Sequence, residues 1–209
     1  MVITGLAKRR GRRYAVRLDT GEEAMVDSRT FEESPYRVGS LVSEAEWFAL
    51  LEESEQRRTR EKALYLLSMR DHSRAELERK LCSGADRETA AQTAARMEEL
   101  GLVDDEGYAG RLAEDLLLRR HFSRSHALQE LRAKGIDRQM AEDAVARVDA
   151  QDEDQALALL RGKLRSRRRQ PDGEKKAAAS LARLGFGYDA IRRALQRMND
   201  EFEEQGMDD

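Results

Sequence analysis

The hydrophobic residues of the chain change their spacing near residue 43. Between Val2 and Val26, apolar and polar positions alternate around turn sequences at Arg10–Gly11 and Asp19–Glu22, a pattern typical of β-strands. This pattern predicts a small antiparallel sheet of two or three strands. After residue 43 the apolar positions recur at helical spacing, which predicts helices for most of the remaining chain.

A sheet of this size is marginally stable in isolation, so it requires a supporting element. Ser43 and Glu46 have the spacing of a capping box, which predicts a helix beginning at Ser43. The first turns of this helix carry an apolar stripe formed by Trp47, Phe48, Leu50 and Leu51. We expect the stripe to cover the sheet, with Trp47 as a packing anchor rather than a platform for stacked bases.

Three similar helical segments recur along the rest of the chain. They read AELERKLCSG from Ala75, LQELRAKGI from Leu128 and ASLARLGF from Ala179. The equivalent leucines occupy positions 81, 131 and 181, so 50 residues separate each from the next. A fixed period of this length predicts tandem units, each of which buries its apolar face against its neighbours.

The predicted fold class is mainly α, with three tandem three-helix repeats after a small N-terminal antiparallel β segment. Each repeat has a long helix, a short helix that ends at a glycine, and a third helix. In the third repeat we expect the long helix to run from Asp152 to Arg168. The predicted divisions are residues 1–42 for the β extension, 43–101 for a linker helix and repeat 1, 102–150 for repeat 2, 151–199 for repeat 3 and 200–209 for an acidic, disordered tail.

The composition favours a solvated helical protein of the cytoplasm. Charged residues make up 38% of the chain and aromatic residues 5%, and the one cysteine, Cys82, agrees with a reducing compartment. We find neither a signal sequence nor a long apolar run, so we expect no membrane association. Phosphate-loop, serine-hydrolase and dinucleotide motifs are absent, and His72, His121 and His126 lack metal-ligand spacing and are expected at the surface. We therefore predict no enzyme, no metal site and no cofactor.

The net charge of −3 hides an uneven distribution of charged residues. Residues 200–209 contain six acids and no base, whereas basic residues cluster elsewhere. The basic clusters are Lys8–Arg13, Arg57–Lys62, Arg119–Arg124 and Arg161–Arg169. Such clusters suit an anionic partner such as nucleic acid, because each phosphate contact releases counterions, although any one cluster is also compatible with a solvated helix face.

Four segments in a fixed order carry a family resemblance. They are ALYLLSMRDHSRAELERKL from Ala63, LGLVDDEGYA from Leu100, ELRAKGI from Glu130 and LARLGFGYDAI from Leu181. Together they resemble the RecX family of bacterial RecA regulators over about Lys62 to Met198. The chain departs from the family pattern in a loop shortened before residue 84 and in the sequence HFSRSH at 121–126, where members often have glycine and several arginines.

The resemblance implies an elongated, curved array of repeats that lies in the groove of the RecA filament on single-stranded DNA. It implies inhibition of filament growth, ATP hydrolysis, strand exchange and repressor cleavage. The N-terminal strands are similar to a β-hairpin extension found in some members. We expect a monomer whose partners are the RecA filament and single-stranded DNA, with double-stranded DNA as an open alternative.

Basic residues of repeats 2 and 3 are the predicted contacts with the filament or its DNA. They are Arg161, Lys163, Arg165, Arg167, Arg168 and Arg169, followed by Arg119, Arg120, Arg124, Arg132 and Lys134. Two other functions stay open, a direct DNA-binding protein of helix-turn-helix-like modules and a helical-repeat adaptor with another protein partner. The short helices lack the Arg, Asn and Gln run expected of base readout, which disfavours the first of these.

Overall fold

The computed structural model describes the backbone of residues 1–168 and 172–206, and the side chains of residues 1–166 and 172–201. The chain divides into two compact units, Met1–Val103 and Asp104–Asp209. The prediction of a mainly helical protein with a small N-terminal antiparallel sheet is confirmed. Most of the described helices pack within one of three sets, and each set corresponds to one predicted repeat.

The N-terminal sheet is an antiparallel meander of three strands. Its strands are β1 (Ile3–Arg9), β2 (Arg13–Leu18) and β3 (Glu23–Asp27), with β2 in the centre. Alternation places Tyr14, Val16 and Leu18 on the face that packs on the helices. The predicted turns at Arg10–Gly11 and Asp19–Glu22 both fall between strands.

Two helices pack on one face of the sheet and complete its hydrophobic core. Asp27 caps the short helix α1 (Ser28–Glu33), and Ser43 with Glu46 forms the predicted capping box of α2 (Glu44–Met69). Trp47 is 1% exposed and its indole Nε1 donates to Glu22 Oε1 at 3.1 Å, which confirms its role as packing anchor. Phe48 is 57% exposed, so its predicted place in the apolar stripe is wrong, because the helix turns it away from the core.

Repeat 1 consists of α2, α3 (Arg74–Leu81) and α4 (Arg87–Glu99), which pack around Leu77, Leu81 and Met97. The structure joins the expected linker helix and the first helix of the repeat into one 26-residue helix. No glycine or proline interrupts this stretch, so nothing in the sequence ends the helix between them. Cys82 is exposed at the end of α3.

Repeat 2 begins with α5 (Asp105–Glu114), which continues as a π-helical turn (Asp115–Arg119). It is followed by α6 (Arg124–Ala133) and α7 (Arg138–Arg147). The buried residues are mostly alanine, with Leu116, Leu117 and Leu131 as the large side chains of the core. The small alanines let the three helices approach closely.

Repeat 3 consists of α8 (Asp152–Arg161), α9 (Arg165–Arg168), α10 (Gly173–Arg183) and α11 (Tyr188–Gly206). The single helix predicted from Asp152 to Arg168 is wrong, because the chain leaves helical geometry at Gly162, with φ −99° and ψ −102°. Glycine tolerates this conformation, which a side chain would disfavour.

The last helix continues past the predicted end of repeat 3. Its backbone is helical to Gly206, and the Arg161 guanidinium forms an ion pair with Glu201. The prediction of a disordered tail from residue 200 is therefore wrong as far as Gly206, because the backbone of α11 continues to that residue without a glycine or proline to stop it earlier. Residues 207–209 of the predicted tail lie outside the described residues.

The 50-residue period appears directly in the burial of the side chains. Residues 131–140 and 181–190 have the same order of buried, half-buried and exposed positions. In both segments a glycine with positive φ, Gly135 at 83° and Gly185 at 81°, ends the short helix. The amide of the next residue then donates to the anchor leucine carbonyl at 3.2 Å, from Ile136 to Leu131 and from Phe186 to Leu181.

Candidate functional site

The turn after Gly162 exposes two of the predicted basic residues. Leu164 is buried, and its amide donates to the Leu159 carbonyl at 2.9 Å, which anchors the turn to the core of repeat 3. Lys163 and Arg165 flank this anchor and are exposed. Neither forms an ion pair with a residue whose side chain is described. The turn therefore presents two cations that an anion can reach without displacing a carboxylate.

Arg161 is exposed but paired, since its Nε lies 3.1 Å from Glu201 Oε2. The helices α8 and α11 are joined at a second place, where Arg197 Nη1 lies 2.9 Å from Glu153 Oε1 and 2.8 Å from Asp154 Oδ1. Exposed ion pairs of this kind contribute roughly 0–1 kcal/mol, so a phosphate competes with them at little cost. Arg161 can therefore exchange Glu201 for an external anion.

Arg119 and Arg120 lie at the end of the π-helical turn beside one carboxylate. Arg120 Nε is 2.8 Å from Asp115 Oδ2, and Arg119 Nη1 is 3.9 Å from Asp115 Oδ1. One carboxylate thus faces two guanidinium groups, which leaves an excess positive charge at this end of the helix. Both arginines are exposed and can be reached by a partner.

Arg124 occupies a different environment from the other predicted residues. Its guanidinium donates to three carbonyls at the end of repeat 2, Nη2 to Val145 at 2.9 Å and Nη1 to Ala150 at 2.8 Å and to Val148 at 3.4 Å. Its amide also donates to Asp152 Oδ1 at 2.8 Å, at the start of repeat 3. These contacts make Arg124 a structural link between α6 and the α7–α8 connection.

The rest of the 121–126 turn is also packed inside the second unit. His121 Nδ1 lies 2.7 Å from Gln155 Oε1, and the rings of Phe122 and His126 stack with centroids 4.2 Å apart. The hydroxyl of Ser123 donates to the Leu184 carbonyl at 2.9 Å. The residues in which this chain departs from the family pattern therefore connect repeats 2 and 3 instead of extending into solvent.

The remaining predicted residues lie on α6 and α9. Arg132 is exposed and forms no ion pair with the side chains that the structure describes, whereas Lys134 is half-buried at the helix end. The backbones of Arg167 and Arg168 belong to α9, and their side chains are outside the described set. Arg169 lies outside the described residues altogether.

The predicted site, which was based on runs of basic residues in the sequence, did not include the exposed cations of α10. Lys175, Lys176 and Arg183 are exposed on this helix, and Arg183 lies two turns after Lys176 on the same face. Helical periodicity, which places positions three or four apart on one face, was the signal that could have found them. The candidate surface of repeat 3 is therefore wider than the Arg161–Arg169 cluster.

The structure contradicts the predicted surface position of the histidines, since His121 and His126 are half-buried and His72 is buried. His72 is 3% exposed in the connection between α2 and α3, where its Nδ1 lies 2.9 Å from the Arg70 carbonyl. Arg70 also forms a two-pronged ion pair with Glu76. Burial lowers the pKa of His72, since a charged ring would lose its hydration there. His72 is therefore a neutral packing residue of the N-terminal unit.

Within the described residues, no group of three or more His, Cys, Asp or Glu side chains has the arrangement of a metal site. None of the described helices is long and apolar enough to span a membrane. The fold and the surface together define a helical-repeat protein of three-helix units with exposed cations and an N-terminal sheet.

Comparison with known proteins places this fold in a family. A family model described as RecX, second three-helix domain, matches residues 104–145. Regulatory protein RecX of Chlorobaculum tepidum is 33% identical over 136 residues, which cover 64% of this chain and 84% of that protein. Regulatory protein RecX of Stenotrophomonas maltophilia strain K279a is 36% identical over 141 residues, which cover 65% of this chain and 84% of that protein. The chain belongs to the RecX family of regulatory proteins.

Solved structures agree at the level of the fold. A crystal structure of regulatory protein RecX aligns with a TM-score of 0.64 at 22% identity, covering 93% of this chain and 98% of that one. The crystal structure of RecX from Lactobacillus salivarius aligns with a TM-score of 0.59 at 23% identity, covering 70% and 98%. The first alignment extends over nearly the whole chain, including the larger part of the N-terminal unit.

Proposed function

We propose that this protein is a negative modulator of RecA that binds the groove of the RecA filament on single-stranded DNA. Binding there inhibits filament growth and so reduces ATP hydrolysis, strand exchange and repressor cleavage. The protein has no catalytic activity of its own in this proposal and acts as a cytoplasmic monomer in recombination and the SOS response. Membership of the RecX family of regulatory proteins is the observation that carries the proposal.

The distribution of exposed charge supports the proposal. Repeats 2 and 3 present exposed arginines and lysines on each of their described helices and on the Gly162 turn, and the half-buried carboxylates of Asp115 and Glu201 form weak ion pairs with some of them. A filament that carries DNA phosphates would attract such a surface over about one Debye length, roughly 8–10 Å at physiological salt. Within the predicted set, Lys163, Arg165 and Arg132 are exposed and form no ion pair with the described side chains, and Arg124 contributes by holding the repeats together.

A RecA ATPase assay on single-stranded DNA tests the proposal. The wild-type protein should inhibit hydrolysis, and the double variant Lys163→Gln, Arg165→Gln should require on the order of tenfold more protein for half-inhibition if both residues contact phosphate. The matched control is Arg87→Gln, Arg96→Gln, which removes two exposed charges from repeat 1 outside the basic clusters. Equal inhibition by the wild type and the repeat 3 variant would contradict the assignment of these residues.

The two alternatives from the sequence predict different results in one gel-shift experiment. A RecA modulator retards RecA–DNA complexes more strongly than naked DNA, and only when nucleotide supports the filament. A direct DNA-binding protein retards duplex DNA equally with and without RecA. An adaptor with an unrelated partner has no effect on either, and that outcome would reject the proposed function.

A further inference from the structure

The tip of the β1–β2 hairpin is a basic segment for which the proposed function has no role. Five of the six residues from Lys8 to Arg13 are cationic and none is acidic. Among them Lys8, Arg9, Arg10 and Arg12 are exposed, and Arg13 is half-buried. The tip therefore concentrates positive charge at one end of a small, well-packed sheet.

The charge at the tip is largely uncompensated. Arg9 Nη2 lies 3.9 Å from Glu23 Oε1, but the same carboxylate accepts a closer bond of 2.9 Å from Arg17. Arg10 and Arg12 form no ion pair with the described side chains. Both guanidinium groups are thus available to an anion outside the protein.

Two features of the tip lower the stability of the free protein. Arg9 lies directly opposite Arg13 in the strand register, an arrangement in which like charges repel. Arg12 has a φ of 55°, a left-handed conformation that glycine and asparagine adopt more readily than arginine. Strained residues persist mainly where the surrounding structure enforces them and function uses them. An arginine at this position is explained if its charge contacts a partner.

The side chains of the tip favour duplex DNA over unpaired bases or a membrane as the partner. Residues 8–13 include no aromatic side chain, and the neighbouring Tyr14 is half-buried, with its hydroxyl donating to Glu32 at 2.7 Å and its ring against Phe31. The tip thus offers neither a stacking surface for unpaired bases nor an apolar residue that could enter a membrane. Duplex DNA carries about one phosphate per 1.7 Å of helix axis, twice the density of one of its strands, so it offers more phosphates to the cations of the tip.

We propose that the hairpin tip at Lys8–Arg13 is a sequence-independent contact for the phosphate backbone of duplex DNA. The contact is separate from the basic residues of repeats 2 and 3, and it requires neither RecA nor nucleotide. It goes beyond the filament function, since it would let the protein hold a duplex next to the filament that it regulates.

Fluorescence anisotropy with a labelled duplex of mixed sequence, measured without RecA over a series of salt concentrations, tests this contact. The full-length double variant Arg10→Gln, Arg12→Asn should lower the log–log salt slope by about 1.8, because each lost contact with duplex phosphate removes about 0.9. The control Arg87→Gln, Arg96→Gln removes two exposed charges from the same unit, outside the basic clusters, and should leave the slope unchanged. A control slope that falls as far as the hairpin variant's would show that net charge alone is responsible and would overturn the proposal.

The single variant Arg12→Asn separates a binding role from a structural one. We expect a higher melting temperature, since asparagine tolerates the left-handed conformation, together with a salt slope lower by about 0.9. Unchanged duplex binding by this variant would overturn the contact. Co-sedimentation with vesicles containing about 30% phosphatidylserine provides the second arm, in which we expect weaker binding than to the duplex, because the cations are attracted to anionic lipid but the tip has no apolar side chain to insert.

The double variant could lose vesicle binding and keep the same salt slope for duplex binding. That result would assign the tip to a membrane surface and overturn the proposal. Because these assays contain no RecA, their failure leaves the filament function untouched. The inhibition assay with the Lys163 and Arg165 variant measures that function independently.

Discussion

At the scale of single residues, the structure separates arginines that resemble each other in sequence. Arg120 and Arg124 belong to one basic cluster, yet Arg120 is exposed while Arg124 donates to three backbone carbonyls. A sequence cannot distinguish these two environments, because the carbonyls that Arg124 binds belong to residues more than twenty positions away. The predicted site therefore mixes a structural residue with candidate contacts.

Replacing Arg124 by Met should destabilise the second unit. The variant leaves the carbonyls of Val145 and Ala150 without their charged donor, and hydrogen bonds to charged groups contribute about 1.5–3 kcal/mol each. Because both bonds are only partly buried and water can partly replace the donor, we expect a loss of about 2–4 kcal/mol in the free energy of unfolding. Urea unfolding followed by circular dichroism measures this loss. The control Arg132→Met, at an exposed position of the same helix, should change stability by less than about 0.5 kcal/mol. Equal midpoints for both variants would contradict the structural role.

At the scale of elements, glycines with positive φ end several helices, among them α4 and α10. Gly185 has positive φ, and a β-carbon added there would lie 2.8 Å from Ser123 Oγ. Gly101 also has positive φ, but an added β-carbon meets nothing within 4 Å. The two glycines therefore share the same backbone constraint, and only at Gly185 would a side chain also collide with the neighbouring repeat.

Substitution of these glycines by alanine separates strain from crowding. Gly101→Ala should cost about 1 kcal/mol from the left-handed backbone alone, and Gly185→Ala about 2–3 kcal/mol, because it also displaces the bond from Ser123 to the Leu184 carbonyl. In thermal unfolding, the double variant Gly185→Ala, Ser123→Ala should lose less than the sum of its single variants. Additive losses would show that the added methyl group does not disturb Ser123.

The sequence predicted elements better than their interruptions. The period of the leucines predicted the repeated short helices, and the capping box of Ser43 and Glu46 predicted the start of α2 correctly, because caps and periodicity are local signals. The break at Gly162 was missed, since Leu157, Leu160 and Leu164 keep helical spacing across it. The candidate surface was predicted as clusters in sequence, whereas on α10 the helix is what places Arg183 on the same face as Lys176.

At the scale of the whole molecule, each of the two units has buried clusters of its own. The N-terminal unit encloses one cluster around Trp47 and another around Leu77, and the second unit encloses one around Leu131 and another around Leu181. A unit with its own hydrophobic core can unfold as a separate cooperative step. The single tryptophan of the chain, Trp47, reports on the N-terminal unit alone.

Leu181→Ala should therefore weaken the second unit without changing the tryptophan signal. The side chain is fully buried, and its truncation should cost about 2–5 kcal/mol of that unit's stability. In a urea titration, the circular dichroism curve should gain an earlier transition while the midpoint of Trp47 fluorescence stays in place. The reciprocal variant Leu50→Ala, in the cluster around Trp47, should shift the fluorescence midpoint. If Leu181→Ala moved both signals together, the two units would unfold as one, because each would then depend on the other for its stability.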